Sequence, residues 1–241
     1  MAYKKKEYKY KNAIEVVEYH NGRYGAPGEK RLKKKKITPE QIAKRNQYNK
    51  ERTCLRKMRS HCNVNDYFFT LSYEKEKRPA DMGRAKEDFR KFIKELRTVF
   101  KKIGVGMKWM RNIEVGSKGA WHVHVVMNRI TDLDIYIRQC WRHGMVHFKM
   151  LDPRKEFEDL AKYMTKTERT DPRLKETSYS TSKNLPIDEP KERIYSHWKT
   201  WHNIKIPEGF YLDPDLFHEG VNPCTGYKYR TYTLIRIVRR E

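Results

Sequence analysis

The run Trp121-His122-Val123-His124-Val125-Val126 constrains this chain more than any other stretch. Its alternation has period two, which suits a β-strand, because successive strand side chains point to opposite faces. Trp121, Val123 and Val125 then share one buried face, and His122 and His124 share the other. Two imidazoles two residues apart on one rigid strand sit about 7 Å from each other. Imidazole is the commonest metal ligand among side chains. One short run therefore supplies a strand, a buried face and two-thirds of a candidate metal site.

A third ligand comes from the strand before it. Met107 to Val115 also reads as strand, joined to Ala120–Asn128 by a tight connection. A three-residue loop of Ser117-Lys118-Gly119, with Gly119 left-handed, places Gly116 opposite Ala120 and Glu114 opposite His122. Opposed residues share a face, so the Glu114 carboxylate meets both imidazoles. A slip of one residue would send it to the other side. Without the glutamate, the two histidines need be no more than exposed polar positions of a half-buried strand. With it, two nitrogens and a carboxylate leave room for water and a phosphate oxygen. That set suits Mg²⁺ or Mn²⁺, and would also take Zn²⁺ or Co²⁺.

The surrounding pattern is α+β. Thr38-Pro39-Glu40-Gln41 has the form of a capping box with proline at N1, opening a helix to about Ser60. Tyr67–Tyr73 has strand composition. Met82, Ala85, Phe89, Phe92, Ile93, Leu96 and Phe100 recur at helical spacing between Asp81 and Lys101. Thr131-x-x-Asp134 starts another helix that Gly144 would end. Met145–Leu151 is a further strand, and Pro153–Lys166 a last helix. The order β-α-β-β-α-β-α implies a central antiparallel sheet with flanking helices. Residues 1–65 read as a basic arm and helix, 66–170 as the central domain, and 171–241 as a C-terminal extension that either covers the sheet or, given the basic charge of the chain, contacts DNA. Ala13–Tyr19 and Tyr227–Val238 are short strand candidates in the outer regions.

Charge narrows the partner. The 241 residues carry 54 Lys+Arg against 31 Asp+Glu, a formal net charge of +23. Nucleic acid is the commonest partner of such an excess, with an anionic membrane surface as rival. No apolar run approaches the roughly 20 residues of a bilayer span, and no signal-peptide core follows the basic start. A cytoplasmic protein is expected. Lys33–Lys36 reads as a linker or a phosphate-tracking arm, and Arg230, Arg236, Arg239 and Arg240 as weak phosphate contacts. Cys54, Cys62, Cys140 and Cys224 lack the spacing of a disulfide framework. Cys54, His61 and Cys62 are irregularly spaced for zinc.

The last helix offers a nucleophile. Asp159, Tyr163 and Lys166 share a face, which Glu156 extends, while Leu160 and Met164 anchor the helix. Phosphotyrosyl transfer uses a tyrosine with a cation nearby, because a phenol ionises only near pH 10. Alone, Tyr-x-x-Lys is common and mostly structural.

Three segments stand in the order of a known set. Phe68-Phe69-Thr70-Leu71-Ser72-Tyr73, Trp121-His122-Val123-His124-Val125 and Ala161-Lys162-Tyr163-Met164-Thr165-Lys166 together resemble the motifs of the HUH endonucleases. Within them the likeness is to the rolling-circle replication initiators (Rep proteins) of small phages and plasmids, over Tyr67–Lys166. The resemblance implies a site-specific nickase and ligase of single-stranded origin DNA. Tyr163 would become linked to the 5′ end, leaving a 3′-OH for a host polymerase. His122, His124 and Glu114 would hold Mg²⁺ or Mn²⁺, and Lys166 would assist at the phosphate. Asp159 and Thr167 occupy the positions of a second tyrosine, so a single-tyrosine enzyme is implied. No G-x-x-x-x-G-K-[ST] loop occurs, which leaves unwinding to a host helicase. Within the same chemistry, a transposase or relaxase is the rival. Relaxases carry a three-histidine cluster, which His143, His147, His197, His202 and His218 do not make in sequence. A non-catalytic nucleic-acid-binding sheet, stacking bases on Phe69 and Tyr73, is the alternative of a different class.

Overall fold

The computed structural model describes residues 3–20, 36–63, 65–116, 119–151, 157–166, 179–196, 201–223 and 225–237. Lys33–Lys35, Ser117, Lys118, Glu156, Thr167, His197, Cys224, Val238, Arg239 and Arg240 lie outside them. The described elements are β1 (Tyr3–Lys9), β2 (Ala13–His20), α1 (Pro39–His61), β3 (Tyr67–Ser72), α2 (Met82–Ile103), β4 (Trp109–Val115), β5 (Trp121–Met127) and α3 (Leu133–Cys140). There follow β6 (Val146–Met150), α4 (Glu158–Thr165), β7 (Ser180–Thr181), β8 (Lys191–Tyr195), β9 (Phe210–Leu212), β10 (His218–Val221) and β11 (Lys228–Arg236). The protein is α+β with antiparallel sheets. It divides into two compact units: Gln47–Pro186, and a second made from both flanks, Met1–Asn46 with Ile187–Glu241.

The Gln47–Pro186 unit is a five-stranded sheet in the order β6-β3-β5-β4-β7, every neighbouring pair antiparallel. Period-two patterning decides its faces. Phe69, Leu71, Ile113, Trp121, Val123 and Val125 turn to one side and are packed by α2 and α3 into the larger core. Met110 and Val126 turn to the other, where Leu55 and Met58 of α1 and Ala161 and Met164 of α4 cover them. Truncating a fully buried side chain such as Trp121 to alanine would cost about 3–5 kcal/mol.

The helices begin and end for identifiable reasons. Thr38 and Gln41 form the expected capping box: Gln41 N donates to Thr38 Oγ1 (3.3 Å) and Thr38 N to Gln41 Oε1 (3.1 Å). On α2, Asp81 accepts from Arg84 N at 2.8 Å, a cap worth about 1 kcal/mol. Gly104 ends α2 in the left-handed region at φ 78°, where glycine carries no Cβ penalty. α3 differs from the sequence expectation. It ends at Cys140 with Trp141 as C-cap, and Gly144 lies beyond it. A Cβ on Gly144 would sit 2.4 Å from the Ser72 carbonyl oxygen, so glycine is needed there for close backbone approach to β3. The described helix α4 runs from Glu158 to Thr165; Pro153, where the sequence expectation began it, lies outside the described residues.

The second unit is a six-stranded antiparallel sheet in the order β10-β11-β2-β1-β8, with β9 also on β11. Strands from the expected basic arm and from the expected extension thus share one sheet. Along one row, Glu219 faces Arg230, Arg230 faces Glu18, Glu18 faces Lys5 and Lys5 faces Arg193. A slip of one residue would break this mostly alternating charge row, so it helps to fix the register. Val16, Tyr232 and Leu234 form the core of this sheet, with Ile14, Phe210 and Phe217 packed on them.

Candidate active site

The β4–β5 register sets the site. Glu114 lies directly opposite His122, and Asn112 opposite His124. Gly119 closes the connection at φ 68°, as the hairpin expectation requires. On the other side of β5, Ser72 opposes His122 and Thr70 opposes His124. Glu114, His122, His124, Thr70 and Ser72 therefore occupy one face of the sheet.

Helix α4 brings Tyr163 to this face. Its Ala161 and Met164 are buried in the smaller core, which leaves Tyr163, on the adjacent stripe, over the strands. The last turn is held twice: Thr165 Oγ1 donates to Ala161 O (2.7 Å), and Gln47 Nε2 of α1 donates to Thr165 O (3.0 Å). Phe68 wedges the group from below. Its ring lies parallel to that of His124, centroids 6.0 Å apart, and edge-on to that of Tyr163 at 6.1 Å.

Polar atoms crowd one point. Glu114 Oε1 is 2.7 Å from His124 Nε2, 3.5 Å from the Tyr163 hydroxyl and 3.9 Å from His122 Nδ1. The Tyr163 hydroxyl is 2.8 Å from the same His124 Nε2. An imidazole nitrogen either donates or accepts, so His124 Nε2 cannot at once donate to Glu114 and accept from Tyr163. A cation at this point would satisfy all of these atoms, and the donor set of two imidazoles and one carboxylate fits a divalent metal. The ligand atoms of Glu114, His122 and His124 lie within 4.8 Å of one another, the one such trio among the described residues. Cys54, His61 and Cys62 form no comparable group there, and His61 Nε2 instead meets Pro186 O at 2.6 Å.

The electrostatics agree with the crowding. The imidazoles of His122 and His124 hold the Glu114 carboxyl far below the usual carboxylate range. Burial, and then the negative charge of Glu114, push the Tyr163 phenol well above its ordinary value. As it stands, this hydroxyl keeps its proton. Lys166 forms the exposed C-cap of α4, and its amide donates to Tyr163 O at 3.3 Å.

The structure thus brings together Glu114, His122, His124 and Tyr163, and places Lys166 one turn beyond. Sequence reasoning gave no role to two further contributors, Thr70 and Phe68. Their signal was present as alternation within Phe68–Ser72, but strand composition does not say which strand will be the neighbour.

A sheet packed by helices on both faces carries a convergent carboxylate–imidazole trio that could hold a metal ion, with a tyrosine hydroxyl held beside it. Residues 66–168 match a family model of replication-associated proteins of the ORF2 type. The stretch similar to that family contains every residue of the site. Comparison with curated proteins and with solved structures finds no match. No helix among the described residues is long and apolar enough to cross a membrane.

Proposed function

We propose that this protein initiates rolling-circle replication by nicking and rejoining single-stranded origin DNA through a 5′-phosphotyrosine. One observation carries the reading: the Tyr163 hydroxyl lies 2.8 Å from His124 Nε2, inside the Glu114–His122–His124 trio. The match of residues 66–168 to a replication-associated family supports DNA as the substrate.

In this reading Glu114, His122 and His124 hold a Mg²⁺ or Mn²⁺ ion, which would act as a Lewis acid toward the phosphate oxygens. Tyr163 is the nucleophile. Its Oη–P bond forms as the bond from phosphorus to the 3′ oxygen breaks, and that oxygen leaves as a 3′-OH after taking a proton. The phenolic proton passes to solvent. Because Glu114 opposes ionisation of Tyr163, positive charge must stand near the hydroxyl, and Lys166 contributes to it from one turn away. Phe68 and α4 fix the ring, so attack comes from one direction. The phosphotyrosyl bond retains the energy of the cleaved one, and a returning 3′-OH reverses the step. A host polymerase would extend the free 3′ end and a host helicase would open the duplex, with the protein working in the cytoplasm.

The sheet face supports a strand path. Among the described residues, α1 and α4 pack on this face around Met110, Val126 and Phe68, with Tyr163 over the trio. Beyond the trio, β6 sets His147 opposite Thr70 and Lys149 opposite Phe68 on the same face. Met145 continues that row and is 68% exposed.

The test is incubation of the full-length chain with single-stranded origin DNA and Mn²⁺, followed by a denaturing gel. A covalent protein–DNA band is expected for the wild type and not for Tyr163→Phe or with excess EDTA. A Tyr163→Phe protein that nicks at the wild-type rate overturns the assignment.

A further inference from the structure

Within the Phe68–Tyr73 segment, one hydroxyl touches the candidate site. Thr70 Oγ1 lies 3.0 Å from His124 Nδ1, on the ring edge away from Glu114 and Tyr163. We propose that Thr70 is a positioning residue that sets the tautomer and rotation of the His124 imidazole. With Thr70 in place, Nε2 presents its lone pair to the divalent cation shared with Glu114 and His122. The proposal rests on the metal reading above and adds a residue to it.

A neutral imidazole carries one proton. If Nε2 ligates, that proton must sit on Nδ1 and needs an acceptor. His124 is only 5% exposed, so water would not readily replace a missing partner. Thr70 is directly opposite His124 in the β3–β5 pairing, and a β-branched side chain on a strand has little freedom at χ1. The hydroxyl is thereby aimed at the ring by the backbone register itself. A histidine ligand held through its second nitrogen keeps its orientation and basicity, and loss of such a partner typically weakens metal binding about 10–100-fold.

Ser72 supplies the internal control. It carries the next hydroxyl on the same face, opposite His122, but its Oγ donates to Met145 O at 2.9 Å rather than to a ring. Thr70→Val keeps shape and β-branching and removes only the hydroxyl. Thr70→Ser keeps the hydroxyl and removes the branch.

The experiment titrates the metal-free, full-length protein with Co²⁺, reading the d–d absorption, and follows thermal unfolding to check the fold. Thr70→Val is expected to lower Co²⁺ affinity about 10–100-fold and to change the d–d band. Ser72→Ala is expected to match the wild type in both, and Thr70→Ser, which keeps the hydroxyl but not the branch, to lie nearer the wild type than Thr70→Val. Wild-type Co²⁺ binding by Thr70→Val overturns the proposal, as does an equal loss in Ser72→Ala. If Thr70→Val does not unfold cooperatively, Thr70→Ala takes its place with the same expectation. Wild-type protein that binds Co²⁺ but forms no covalent DNA adduct removes the nicking reading and leaves the role of Thr70 standing. Wild-type protein that binds no Co²⁺ removes both.

Discussion

At the scale of single residues, burial determines chemical behaviour more than residue type does. Cys54 is fully buried, and burial pushes its thiol up to about 11. Cys62 is pushed higher still, by burial and then by the nearby charge of Asp66. Thiolate is the reactive form. At pH 8 iodoacetamide should therefore leave the fully buried Cys54 unmodified in the native chain and label it only after unfolding. Peptide mass spectrometry reads this, and labelling that precedes unfolding would contradict it. Gly144 gives a second residue-level test. A methyl group there would meet the Ser72 carbonyl at 2.4 Å and the Glu74 amide at 2.9 Å, both backbone atoms that cannot rotate away. Gly144→Ala should destabilise the protein by about 2 kcal/mol or more, measured as a lowered denaturation midpoint. The sequence makes this glycine conspicuous but suggests the wrong reason, because a helix stop and a close backbone approach both call for glycine.

At the scale of elements, the sheet register converts local pattern into a site. The histidine alternation, the tight β4–β5 connection and the position of Glu114 are all local, and they were legible from sequence. The neighbours of β3 were not, because period-two alternation identifies a strand's faces without naming its partners. Only the β3–β5 and β3–β6 pairings set Thr70 beside His124, and His147 and Lys149 further along the same face. Adjacent strands are about 4.8 Å apart, so β6 stands about two strand spacings from the imidazoles, within one or two nucleotides of a phosphate held there. Under the proposed function, Lys149→Gln should weaken single-strand binding. It should also reduce the slope of log affinity against log salt by about 0.7, with nicking at saturating DNA unchanged. Fluorescence anisotropy across a salt series checks this, and an unaltered slope would place the strand elsewhere.

At the scale of the whole molecule, the chain builds one sheet from its two flanks and a second from the stretch between them. The sequence displayed β2 and β11 as strand candidates but could not pair them, since Glu18 and Arg230 are 212 positions apart. Their contact is buried: Arg230 Nε and a terminal guanidinium nitrogen reach Glu18 Oε2 at 2.7 and 2.6 Å, and the guanidinium also donates to His202 O at 2.9 Å. Burial raises the Glu18 carboxyl above its ordinary range, and Arg230 opposes that rise. Arg230→Met removes the hydrogen-bonded partner of a buried carboxylate and should cost about 3–5 kcal/mol. A carboxyl with a raised folded-state pKa binds protons more readily when folded, so stability rises as pH falls toward that value. Thermal unfolding of Arg230→Met should therefore recover part of the loss on acidification, and a loss independent of pH would refute this account. The same pairing orders events during synthesis. On the ribosome β1 and β2 are made before Gln47–Pro186, and the strand that completes β2's other edge only after it. Closing so long a loop costs about 5 kcal/mol of chain entropy. A nascent chain therefore holds every ligand of the candidate metal site, with the strands that position them, while its first hairpin still waits for a neighbour.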